Sequence, residues 1–155
     1  WQFVKHVVPD VIGSDHAPHT IEEKAKTYPA SPSGMPGVQT LVPLFLDHIA
    51  NGRLTLQRFI ELTSAGPQRV FGLVGKGRIA LGYDADFTVV DLKKRWTVGA
   101  DWLASRCGWS PFEGDTLTGK AVGTIIRGQR VMWEDSLANA ALGEPVRFEA
   151  TDFGS

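Results

Sequence analysis

Cysteine is nearly absent: Cys107 is the single one in 155 residues. That excludes an internal disulfide and a thiolate zinc cluster. Long apolar runs are missing too, and none approaches the roughly 18 residues of a membrane span. The first residues carry neither the apolar stretch of a signal peptide nor the basic bias of a transit segment. No excess of one charge exists: 16 Lys and Arg face 17 Asp and Glu, for a formal net charge of -1. A nucleic-acid footprint wants a strongly basic face, so no nucleic acid is expected as partner. No membrane association is expected either, and a cytoplasmic setting fits. Length excludes a complete (β/α)8 barrel, which takes about 250 residues.

What is present is an ordinary globular composition, 43% apolar and 21% charged, with enough chain to bury a real core. The chain opens on Trp1, and Trp1–Val8 reads as the end of a helix with no capping residue before it. The expectation is therefore the C-terminal piece of a longer protein. Pro9 breaks the helix. Asp10–Ser14, with its apolar centre, reads as a short buried strand. Residues 20–37 read as a long loop, with a helical turn over Glu22–Lys26 and five Pro and Gly residues after it. Loops of that length in compact domains are usually functional.

Val38, Leu41, Val42, Phe45 and Ile49 recur at helical spacing, and Asn51-Gly52 stops that helix. Thr55 is a plausible N-cap for a second helix with Leu56, Phe59, Ile60 and Leu62. Gly66-Pro67 is expected to end it and to start a third, whose Val70 and Phe71 face the core. Strands are expected over 85–91 and 95–98. A hairpin of Ala121–Arg127 and Arg130–Glu134 would turn at Gly128-Gln129. Residues 104–119 read as irregular. The expected division is 1–72 as one strand with helices, 73–137 as a small β unit, and 138–155 as a surface tail.

Asp15, His16 and His19 lie within five residues at the end of the predicted strand, where α/β barrels keep their catalytic groups. A carboxylate with imidazoles can bind a divalent metal or act as base and acid. A turn-forming Asp beside packed or solvated histidines is the plainer alternative, and spacing alone does not choose. A zinc enzyme needs at least three protein ligands, which this cluster does not supply. His6 and His48 read as packed or surface side chains, and Cys107 as inert, because no base is recognisable beside it. Glu22–Lys26 reads as a solvated turn. Trp96, Trp102, Trp109 and Trp133 are expected to pack the β unit. In Ser33-Gly34-Met35-Pro36-Gly37 the glycines would let backbone approach a ligand.

The run Gly13-Ser14-Asp15-His16-Ala17-Pro18-His19-Thr20-Ile21-Glu22-Glu23-Lys24 resembles type I dihydroorotases of the amidohydrolase superfamily. So do Pro32–Thr40, Gly66–Leu73, Gly77–Asp86 and Trp109–Gly114, and the likeness covers nearly all of residues 8–135. The resemblance implies an α/β fold: the last strand and helices of a (β/α)8 metal-dependent hydrolase barrel, with a small β-sheet domain. It implies reversible, zinc-dependent hydrolysis of dihydroorotate to N-carbamoyl-aspartate in de novo pyrimidine biosynthesis, on a binuclear Zn²⁺ centre. Asp15 matches the residue that binds one metal and acts as general base. His19 matches the residue that holds the substrate's carboxylate. Ser33 and Gly34 match the loop whose backbone contacts the ring. His16 is not assigned as a ligand.

The family's other ligands lie on earlier strands, and none of those segments is within these residues. The isolated 155 residues are therefore expected to bind zinc weakly and to hydrolyse no dihydroorotate. A homo-oligomer is expected, with aspartate carbamoyltransferase as a candidate partner. Three other readings stay open, of which a small α/β interaction module sets the resemblance aside and the other two keep it. One is another cyclic amidohydrolase, such as a hydantoinase or allantoinase, which usually lacks a histidine four places after the Asp. The other is a non-catalytic dihydroorotase-like scaffold for aspartate carbamoyltransferase.

Overall fold

The computed structural model describes residues 2–6, 8–138 and 142–149. The expected tail from 138 therefore lies partly outside the described residues. Two compact units emerge, each built from discontinuous segments. The first gathers the described residues of Trp1–Ile12, Gly52–Asp91 and Ala121–Ser155. The second gathers Gly13–Asn51 and Leu92–Lys120.

In the first unit, α1 (Gln2–Lys5) leads to Pro9. No strand forms over the expected 10–14; the Ile12 N–H instead donates to the Leu62 carbonyl at 3.3 Å. A strand exists only as part of a ladder, and no described residue pairs with this segment along its length. The next helix begins as expected. Thr55 caps α4 (Leu56–Ile60) by accepting from the Arg58 N–H at 3.1 Å. It then does not stop. A π-helical turn over Glu61–Ala65 runs directly into α5 (Gly66–Phe71), with Pro67 in the first turn. Gly66 makes this possible: a Cβ there would collide with the carbonyl oxygens of Asp10 and Glu61. Gly72, at φ 60, ends the stack in the left-handed conformation that glycine adopts freely.

Leu54, Phe59, Leu62 and Val122 form this unit's core. Full burial of Leu62 contributes about 1.5–3 kcal/mol. Arg58 is buried as well, and its guanidinium is used on three sides. It donates to the carbonyls of Val4 and Pro9 and pairs with Glu61 at 2.9 Å. That satisfies a cation that would otherwise be costly inside. Val70 and Phe71 do not face the core as expected, because no described residue covers them; they are 50% and 58% exposed.

In the second unit, α2 is the single turn Ile21–Lys24, and α3 spans Leu41–Ala50. The latter starts three residues later than the apolar spacing predicts. Residues 38–40 form a turn instead, and Val38 is exposed. Leu46, Val98 and Leu117 make the core. Leu46 packs so closely on Gly119 that a Cβ there would lie 2.6 Å from the Leu46 Cβ. Asp47 fixes the same approach by accepting from the Thr118 N–H at 2.9 Å.

The sheet has four strands in the order β1-β2-β3-β4. Strand β1 (Phe87–Thr97) is one long strand where two short ones were expected. Strand β2 (Thr116–Ile126) begins five residues before the expected start, so the irregular stretch is shorter. Strands β3 (Gln129–Trp133) and β4 (Ser136–Leu137) complete it, β3 antiparallel to both its neighbours. The β2–β3 turn sits one residue earlier than expected. Ile126 pairs with Gln129, so Arg127 and Gly128 are central, at φ 50 and 78. Two positive φ values mark a type I′ turn, whose twist matches that of the strands. The Asp86 carboxylate stabilises the non-glycine position by accepting from the Arg127 N–H at 2.7 Å.

Candidate active site

Every residue singled out for chemistry lies in the second unit. Asp15 is exposed and sits at φ 45. Left-handed backbone is disfavoured for residues other than glycine, although Asp tolerates it better than most. The chain then enters the Ala17-Pro18-His19 segment, where the His19 N–H returns to the Ala17 carbonyl at 2.9 Å and closes a three-residue turn at Pro18.

That turn is docked on the 33–38 loop. His16 and Met35 form an isolated parallel bridge, and the Ala17 N–H donates to the Met35 carbonyl at 2.9 Å. His16 Nδ1 accepts from the N–H groups of Gly37 and Val38, at 3.0 and 3.3 Å. Two glycines permit the approach. Gly34, at φ 92, places its Cα against the Ala17 side chain, and Gly37 lies on the Ser14 carbonyl. The structure therefore brings the Asp15–His19 turn and the Gly34 loop together. Ser33 stays exposed on that loop.

A second set of bonds holds His19. Trp109 Nε1 donates to the His19 carbonyl at 2.7 Å. The His19 ring faces Glu23 at 3.5 Å. Thr20 and Glu23 form a reciprocal capping box at the head of α2: Glu23 accepts from the Thr20 N–H at 2.9 Å, and the Thr20 hydroxyl accepts from the Glu23 N–H at 3.3 Å. The Thr20 N–H, with a smaller contribution from His19, holds the Glu23 carboxyl below the usual glutamate range.

Lys24 is more than the solvated turn residue expected of it. Its ammonium donates to the carbonyls of Pro32 and Gly34, at 2.7 and 3.1 Å. Ser31 returns a bond to the Lys24 carbonyl at 3.1 Å. Gln39 works similarly with both ends of its amide, donating to the Trp102 carbonyl and accepting from the Ala104 N–H. Between these loops is a cavity of ≈ 240 Å³, whose lining includes His16, Gly37, Leu103, Ser105 and Trp109.

Sequence reasoning missed Lys24, Trp109 and His16 as shapers of the site. Trp96 and Trp102 do pack on each other, edge to face at 4.7 Å, with the Lys120 ammonium 4.6 Å from the Trp96 ring. His6 is bonded to Gln2, and His48 packs edge-on to Phe45. Cys107 contacts Ser105 and the Trp109 carbonyl, with no base among these partners.

Metal-ligating capacity is limited. Among the described residues no group of three or more His, Cys, Asp or Glu converges on one point. Asp15 offers a single carboxylate, so these residues do not fit a binuclear centre by themselves. No helix among the described residues is long and apolar enough to cross a membrane.

Comparison with known proteins covers most of the chain. The model of the amidohydrolase family matches residues 4–131. A dihydroorotase from Pyrococcus furiosus is 46% identical over 136 residues, covering 88% of this chain and 32% of its own length. One from Methanothermobacter thermautotrophicus is 45% identical over 123 residues, covering 79% and 28%. The chain thus spans about a third of the length of the curated relatives it matches. Among solved structures, an L-hydantoinase (dihydropyrimidinase) from Arthrobacter aurescens superposes with TM-score 0.84 at 32% identity. The match covers 89% of this chain and 32% of that one. A D-hydantoinase (dihydropyrimidinase) from a Thermus species gives 0.83 at 28%, over 89% and 31%. The chain has the fold that these enzymes show over that part of their length.

Proposed function

Because the chain belongs to the amidohydrolase family, we propose that it carries the general base and part of the substrate cradle of a dihydroorotase. The observation that supports this most is the pairing of Asp15 and His19 on one turn, against the Gly34 loop, in a chain 46% identical to a dihydroorotase. In this reading residues 1–72 are the last part of the barrel and 73–137 belong to a β domain.

The chemistry assigned to these residues is simple to balance. Water adds its oxygen to the ring amide carbonyl carbon of dihydroorotate, and the carbon–nitrogen bond breaks. Asp15 takes the water's proton and hands it to the departing nitrogen, giving N-carbamoyl-aspartate. An exposed carboxylate is open to both the water and the departing nitrogen. His19 would hold the substrate carboxylate by a charge-assisted hydrogen bond. Its backbone is fixed for that task by Trp109. Ser33 and Gly34 would contact the ring through their backbone. The zinc pair that the resemblance implies needs ligands beyond Asp15, which the described residues do not supply.

The same reading extends to a role in de novo pyrimidine biosynthesis in the cytoplasm, a homo-oligomer, and aspartate carbamoyltransferase as a candidate partner. The solved hydantoinases favour a second reading, a hydrolase acting on another cyclic amide.

Substitution in the complete protein tests both. Asp15→Asn should lower kcat by about 10²–10⁴-fold, with the exposed site leaving the fold intact. His19→Ala should chiefly raise KM for dihydroorotate. Retained turnover in the first variant removes Asp15 as base. An unchanged KM in the second, with hydantoin turned over faster than dihydroorotate, moves the assignment to the hydantoinase reading.

A further inference from the structure

We infer that His16 is a positioning residue, a clamp that sets the 33–38 loop against the Asp15–His19 turn and so fixes the backbone of the substrate cradle. The inference rests on the dihydroorotase reading for what the cradle holds, and on geometry alone for the clamp.

Three features converge on the histidine. Its Nδ1 is the common acceptor for two successive backbone N–H groups, Gly37 at 3.0 Å and Val38 at 3.3 Å. Its backbone forms the parallel bridge to Met35, and the next residue, Ala17, donates to the Met35 carbonyl. The loop is pressed so closely on this turn that Gly34 meets the Ala17 side chain and Gly37 meets the Ser14 carbonyl. Successive N–H groups aimed at one nitrogen need a lone pair there. The neutral ring must therefore carry its proton on Nε2. The acceptor lies between Asp15 and His19 in sequence, while its donors lie three and four residues beyond Gly34. One ring therefore couples the residue assigned to proton transfer with the loop assigned to substrate contact. Among the described residues, the other hydrogen bond between the two segments runs from the Ala17 N–H to the Met35 carbonyl and does not hold residues 37 and 38.

A substitution series in the complete protein separates this role from bulk or charge. The Asn amide oxygen falls near the position of Nδ1, and the Gln amide reaches toward Nε2. His16→Ala should raise KM for dihydroorotate about tenfold with kcat changed less than about threefold, the loss expected for two neutral hydrogen bonds. His16→Asn should recover most of that loss, and His16→Gln should not. Amide hydrogen exchange supplies a readout independent of turnover. Gly37 and Val38 should exchange about tenfold faster in His16→Ala and regain protection in His16→Asn.

Unchanged exchange at both amides in His16→Ala overturns the clamp whatever the kinetics. Faster exchange with an unchanged KM overturns its role in the cradle, while Asp15→Asn in parallel reports on the base. Equal recovery by Asn and Gln overturns the assignment to Nδ1. If the wild-type protein turns over no dihydroorotate, the functional reading fails, the cradle role falls with it, and exchange alone decides the clamp.

Discussion

The helical stack over residues 56–72 and the loops over 15–38 are held in different ways. The stack rests on repeating backbone bonds, a capped start, a glycine end and buried Phe59 and Leu62. The loops rest on single side-chain groups that reach backbone: His16 to residues 37 and 38, Lys24 to 32 and 34, Trp109 to 19. In the first kind of region each bond is backed by its neighbours. In the second, removing one side chain frees a segment while the rest stays folded. Catalytic loops commonly sit at this less redundant end of a structure.

The contrast can be broken first at the stack. Gly66→Ala puts a methyl group onto the carbonyls of Asp10 and Glu61. It should cost about 3 kcal/mol of global stability, because backbone cannot step aside as a side chain can. A urea unfolding midpoint reads this, and a shift under one-third of that size would mean the π-helical turn yields. Lys24→Met comes next. Losing an ammonium bound to two carbonyls should cost about 2 kcal/mol locally. The expected signature is proteolytic cleavage within 27–34 with little change in the unfolding midpoint. A fall in global stability equal to that of Gly66→Ala would erase the distinction between the regions.

The smallest effect is at the capping box. Thr20→Ala should cost about 1 kcal/mol at α2, seen as faster amide exchange at Glu23 and Lys24. The box also predicts a pH response. The folded state lowers the Glu23 carboxyl, chiefly through the Thr20 N–H. Its contribution is therefore complete above the carboxyl's unfolded value and is lost as pH falls through the lowered folded value. The protection factor at the head of α2, which divides out the slowing of amide exchange in acid, should fall on acidification in the wild type and change less in Glu23→Gln.

Legibility in the sequence follows the same divide. Thr55 and the β2–β3 hairpin are legible because caps and tight turns are local chemistry. The hairpin turn was misplaced by one residue, since the carboxylate that supports Arg127 comes from Asp86, 41 residues away. The Asp10–Ser14 pattern was strand-like, but pairing is not local, and the described residues provide no ladder. Asp15 and His19 stood out through their motif. Their supports did not, because a Trp109 that bonds a carbonyl 90 residues earlier looks in sequence like any packing aromatic. Lys24 sat among alternating charges and gave no sign that its partners were loop carbonyls.

The two ends of the sheet bear on how the protein behaves when crowded. Its order leaves β1 at one side and the two-residue β4 at the other. Strand β1 carries Asp91, Lys93, Lys94 and Arg95 nearly in succession. Charged side chains along an edge disfavour an added strand, and the two-residue β4 is too short to template one. Among the described residues, a strand added at either rim would therefore meet clustered charge at β1 or too few residues at β4.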